Sequence, residues 1–119
     1  MKRVKDSYTV SGRIWIEKGG ETYIGYGRVV LLERIKKHGS ISMAAKSMDM
    51  SYRRAWELVE SMNRLSEKKL VETRTGGRSG GGAIITDEGE RAIKLFWSMY
   101  DDLKIFLKEE AKKQLEILS

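Results

Sequence analysis

Residues Ser51 to Glu57 read Ser-Tyr-Arg-Arg-Ala-Trp-Glu, and the adjacent Arg53 and Arg54 carry the most informative chemistry in the chain. A guanidinium is a planar fork of donors that fits the O6 and N7 edge of guanine, or two oxygens of one phosphate. Hydroxyls and ammonium groups close by hold a phosphate backbone without reading its sequence. These types at this spacing make Arg53 the candidate for a guanine edge. Arg54, Lys46, Ser51 and Tyr52 are candidates for phosphate. Glu57, one helical turn beyond Arg53, either accepts from cytosine or orients that arginine. Arg64 continues the same charged side as a further DNA-binding candidate, while Trp56 falls at its border and reads as a packing residue.

Other chemistries find less support. The chain has no cysteine and a single histidine, His38, so thiolate and multi-histidine metal sites are excluded and no metal or cofactor is expected. Ser51 with His38 is the one conceivable nucleophile and base, and no nucleophile-elbow pattern surrounds it, so the chain is not expected to be an enzyme. The tract Thr75-Gly76-Gly77-Arg78-Ser79-Gly80-Gly81-Gly82 invites a phosphate-loop reading. That reading fails because no Gly-Lys-Ser/Thr ending leads into a helix; a strand-like segment follows instead. A basic wing fits better, with Arg74, Arg78 and Ser79 brought to a duplex backbone or minor groove. The strand aromatics that stack unpaired RNA bases are absent.

These residues need elements to position them. Ile41, Ala44, Ala45 and Met48 recur at helical spacing, and the small alanines permit close approach of another helix. A second helix restarts at Ser51, a strong N-cap, and carries an apolar stripe of Ala55, Leu58, Val59, Met62 and Leu65 opposite Arg53, Glu57, Glu60 and Arg64. Upstream, Leu31, Leu32 and Ile35 mark a helix that ends at Gly39. Before it, the alternation over Tyr8 to Glu17 predicts a strand, turning at Lys18-Gly19-Gly20 into a second over Glu21 to Gly25. Trp15 would then point outward and pack on a neighbouring element or a second subunit. Lys69 to Arg74 and Ala83 to Thr86 read as two strands flanking the glycine tract.

From Asp87 onward the pattern is one helix of about 30 residues, extending roughly 45 Å. Thr86 or Asp87 would cap it, with Glu90 reaching back. Ala92, Phe96, Met99, Leu103 and Phe106 step by four and three in a heptad-like seam, more apolar surface than one small domain needs. The expected use is dimerisation on a two-fold axis.

Charge agrees with a polyanion partner. Residues 1–86 hold 17 Lys or Arg against 9 Asp or Glu, whereas residues 87–119 hold 6 against 8, so the positive potential lies in the first part. Such a footprint gains by releasing condensed counterions from nucleic acid. At 119 residues one domain is expected: an N-terminal hairpin over 1–25, a helix-turn-helix and wing over 26–86 and a terminal helix over 87–119. No secretory signal or membrane-spanning run is apparent, so a cytoplasmic location is expected.

The ordered motifs GSIS at Gly39 to Ser42, AAK at Ala44 to Lys46, SYRRAW at Ser51 to Trp56, MNRLSE at Met62 to Glu67, LVE at Leu70 to Glu72 and TGGRSGGGA at Thr75 to Ala83 resemble the DNA-binding domain of ModE-type molybdate-responsive transcription regulators. A more distant similarity runs to the N-terminal domains of LysR-type regulators. The resemblance implies a mostly α fold with small β hairpins (α+β), a winged helix-turn-helix. It also implies a homodimer through the terminal helix and an inverted-repeat operator in double-stranded DNA. Full-length members carry molybdate-binding domains after this one. No molybdate site can be carried onto this chain: either it senses a different effector or none, or a separate partner performs the sensing. The competing expectation is a protein-interaction or non-specific nucleic-acid-binding module whose long helix docks another polypeptide.

Overall fold

The computed structural model describes residues 8–74 and 81–118. Two short antiparallel strands, β1 (Ile16–Lys18) and β2 (Glu21–Ile24), open the structured chain. Three helices follow: α1 (Tyr26–His38), α2 (Ile41–Ser47) and α3 (Tyr52–Leu65). A second ribbon pairs β3 (Val71–Arg74) with β4 (Gly82–Ile85), and α4 (Asp87–Gln114) runs on into a 3-10 turn over Leu115–Leu118. The architecture is α+β and winged-helix-like.

Each helix begins and ends for a local reason. Gly39 closes α1 in the left-handed conformation, φ 73°, and its amide bonds the Ile35 carbonyl at 2.8 Å. Ser40 caps α2 by accepting from the Met43 amide at 3.0 Å, and Ser51 caps α3 by accepting from the Arg54 amide at 3.1 Å. The turn between α2 and α3 is made at Asp49, φ 51°, a residue type that tolerates that region.

One core serves all the elements. Val29, Leu31, Leu32 and Ile35 of α1 meet Ile41, Ala44 and Ala45 of α2, Ala55, Leu58, Val59 and Met62 of α3, and Ala92, Ile93 and Phe96 of α4. Ala44 and Ala55 are wholly buried, as expected of small residues that let helices close on one another. The wing is tied to the helix-turn-helix by backbone: the Ala83 amide donates to the Gly39 carbonyl at 2.9 Å.

Three expectations are corrected. The N-terminal strand covers only Ile16–Lys18, because β2 is four residues long and offers nothing for residues 8–15 to pair with. That segment instead lies along α4, where a Cβ at Gly12 would sit 3.4 Å from Leu107. Thr86 caps α4, accepting from the Gly89 amide at 3.1 Å, and Glu90 does not reach back; it pairs with Lys36 of α1 at 2.9 Å. The seam proposed for dimerisation begins inside the domain. Phe96 is 1% exposed and Ala92 9%, since the first turns of α4 roof the chain's own core. The rest of that seam is left open, with Phe106 exposed and Met99 and Leu103 half-buried, and Leu95 is exposed beside it.

Candidate nucleic-acid interface

The apolar side of α3 is buried, and its polar side is open between two ribbons. On one flank stands the β1–β2 hairpin. Arg64 pairs with Glu21 at 2.8 Å, Lys18 donates to the Leu65 carbonyl at 2.8 Å, and the hydroxyls of Tyr23 and Ser66 share a hydrogen bond of 2.9 Å. On the other flank stands the wing, held by Asn63, whose Oδ1 accepts from the Leu70 amide at 2.8 Å while its Nδ2 donates to the Val71 carbonyl at 2.9 Å. Both clamps grip the C-terminal half of α3. Its first turns remain uncovered.

Arg53 occupies that open end with its side chain 89% exposed, and its Nε donates to Glu57 Oε2 at 3.4 Å. Glu57 thus stands within reach of the arginine, one helical turn further along α3. A pair this exposed holds weakly, so the guanidinium can be turned to a ligand at small cost. Ser51, Tyr52 and Arg54 are exposed in the same turn, and Lys46 is exposed at the end of α2. The Ser51 hydroxyl uses an acceptor lone pair for its cap, which leaves its hydrogen free to donate. Arg74 is exposed at the far end of β3, opposite Gly82. Arg78 and Ser79 lie outside the described residues. Arg64 is drawn away from this cluster: its partner is the hairpin carboxylate of Glu21, whose pKa it holds below the ordinary value, first through their hydrogen bond and then through charge.

Two contributors escape a reading of periodicity. Arg28, in the first turn of α1, donates to Ser61 Oγ at 3.0 Å on the hairpin flank of α3. Burial lowers its pKa, and repulsion from Arg54 lowers it further while Glu21 opposes, so Arg28 and Arg54 are close enough to repel one another. Nothing in the sequence of α1 points to this, because Arg28 meets α3 only across the packed helices. Asn63 is the second, and its one sequence signal is an asparagine near the end of an otherwise regular helix. Trp56, read as packing, is 41% exposed and borders the groove between α3 and the wing.

Among the described residues no group of His, Cys, Asp and Glu could hold a metal ion, and no helix is long and apolar enough to cross a membrane.

Comparison with known proteins agrees with the motifs. The chain is 49% identical over 69 residues to the DNA-binding transcriptional dual regulator ModE of Escherichia coli (strain K12), covering 58% of this chain and 26% of that protein. It is 43% identical over 74 residues to the transcriptional regulator ModE of Haemophilus influenzae, covering 62% and 29%. It is 41% identical over 81 residues to the molybdenum-pterin-binding protein MopA of Rhodobacter capsulatus, covering 68% and 31%. No family model matches. The shared stretch is thus under a third of each relative's length, and over it the resemblance to ModE-type regulators holds.

Proposed function

We propose that this chain is a ModE-type transcription regulator of molybdenum metabolism that reads double-stranded DNA as a homodimer, without catalysis. The observation that carries the reading is the placement of Arg53, almost fully exposed on the uncovered end of a helix whose other half is gripped on both sides. In this reading α3 enters the major groove and Arg53, steadied by Glu57, takes a guanine edge in bidentate fashion. Arg54 and Arg28 meet phosphate on the hairpin side, where an anion relieves their mutual repulsion. Lys46, Ser51 and the Tyr52 hydroxyl meet phosphate at the start of the helix, and Arg74, Arg78 and Ser79 do so from the wing. Arg64 acts by fixing the hairpin to α3.

A second copy is the proposed occupant of the open α4 stripe. Leu95, Met99 and Phe106 follow steps of four and seven, the spacing of a coiled-coil seam, and Phe106 is 56% exposed. Charges of both signs flank the projecting half of α4: Asp101, Asp102, Glu109 and Glu110 with Lys104, Lys108, Lys112 and Lys113. A helix so patterned complements a copy of itself, and such pairing sets two recognition helices on one inverted repeat. The whole chain then forms one DNA-binding unit.

The test is selection of bound fragments from random duplex DNA followed by sequencing. A motif repeated with two-fold symmetry is the expected result. Recovery of no preferred sequence, together with affinity that vanishes at physiological salt, overturns the reading in favour of a protein-docking module.

A further inference from the structure

The chain's three tryptophans are not used alike. Trp15 donates its indole N–H to Glu17 at 2.9 Å and Trp97 donates to Glu33 at 3.1 Å. Trp56 has no hydrogen-bond partner among the described residues and is 41% exposed on α3, three residues beyond Arg53. Tyr52, one turn earlier on the same side, is 55% exposed. Residues four apart on a helix are neighbours, so the two rings form an aromatic edge on an otherwise charged face. Below that edge runs a groove of about 450 Å³ between α3 and β3, bordered by Trp56, Val59, Asn63, Val71 and Thr73. The indole is thus both a wall of the domain and an apolar surface facing out beside the best guanine reader in the chain.

Resting on the DNA-binding reading above, we propose that Trp56, flanked by Tyr52, makes thymine a determinant of the half-site by packing on its 5-methyl group. The methyl is the apolar feature that a base pair presents in the major groove; the other edges offer donors and acceptors that an indole face would leave unsatisfied. Position follows from helix geometry. Trp56 is about 4.5 Å along the axis from Arg53, and base pairs are stacked about 3.4 Å apart, so the thymine lies within two base pairs of the guanine that Arg53 reads. Burying one methyl gives roughly a fourfold preference over the same base without it.

The experiment uses the full chain and the half-site recovered by selection, with each thymine replaced in turn by deoxyuridine, in gel-shift titrations. The parent should lose about three- to fivefold at one position within two base pairs of the guanine contact. Trp56→Ala should be indifferent to the methyl there, and Trp56→Phe should keep part of the sensitivity. Parent binding that tolerates deoxyuridine at every position overturns the proposal without touching the DNA-binding reading, and this arm needs no folded variant. Undiminished sensitivity in Trp56→Ala also overturns it, and a uniform loss on all sequences then assigns the indole to the sugar-phosphate backbone. Failure to recover any half-site defeats both readings.

Discussion

The carboxamide of Asn63 closes on both backbone groups of Val71, donating to its carbonyl at 2.9 Å and accepting from its amide at 3.2 Å. With the Leu70 amide also bound to the same oxygen, one side chain on α3 sets the first residues of the wing. Asn63→Leu leaves three backbone groups unpaired at the edge of the core and should cost about 2–3 kcal/mol in urea unfolding. DNA affinity should fall by more than the stability loss accounts for, because the wing is released.

Arg53→Ala should cost about 1–3 kcal/mol on the selected site and relax preference at one base position. Arg28→Ala and Arg54→Ala should instead weaken all sequences alike and reduce the slope of log affinity against log salt by about one each. Equal behaviour of the three variants across sequences would falsify the division into base and phosphate contacts.

Gly89 sits where α4 crosses the wing, and a Cβ there would lie 2.5 Å from the Leu70 carbonyl oxygen and 2.6 Å from Ile85 Cγ2. Gly89→Ala must push the helix start off β3 and should lower stability by about 1–3 kcal/mol in thermal melts. Gly27→Ala is the control. Nothing lies within 4 Å of its Cβ position on α1, so it should leave stability unchanged or raise it by up to about 1 kcal/mol.

On α4 the buried and the open parts of the seam should separate by experiment. Met99→Glu with Phe106→Glu should give a folded monomer in sedimentation velocity, with an ordinary circular dichroism spectrum. Phe96→Ala should instead cost about 3–5 kcal/mol of unfolding free energy, since that ring is in the core. A dimer that survives the double glutamate variant removes the seam from consideration.

The Glu21 carboxyl is held below the usual carboxylate range by Arg64, through their hydrogen bond and then their charges. A carboxylate depressed on folding contributes stability above its unfolded value and loses it as pH falls through its lower folded value. Arg64→Gln should therefore move the Glu21 titration, followed by NMR, up toward the ordinary range. The difference in urea midpoint between parent and variant should be present at neutral pH and disappear on acidification. Both side chains are exposed, so the difference should be small and shrink in high salt.

What the sequence determined by itself is what short-range physics encodes. Ser40, Ser51, Thr86 and Gly39 place the helix boundaries because caps act within four residues. The three-to-four spacing of Leu58, Val59 and Met62 fixes the buried side of α3 and with it the exposure of Arg53. Tertiary structure alone decided where faces meet. Phe96 looked like part of an intersubunit seam because its spacing is the same whether it packs on a neighbour or on its own core, and the structure buries it in the chain's own core. Residues 8–15 alternate like a strand, yet a strand needs a partner of equal length, and β2 ends at four residues. Arg64 left the charged face for Glu21, 43 residues away, and Arg28 and Asn63 gained their roles through contacts that no local pattern records.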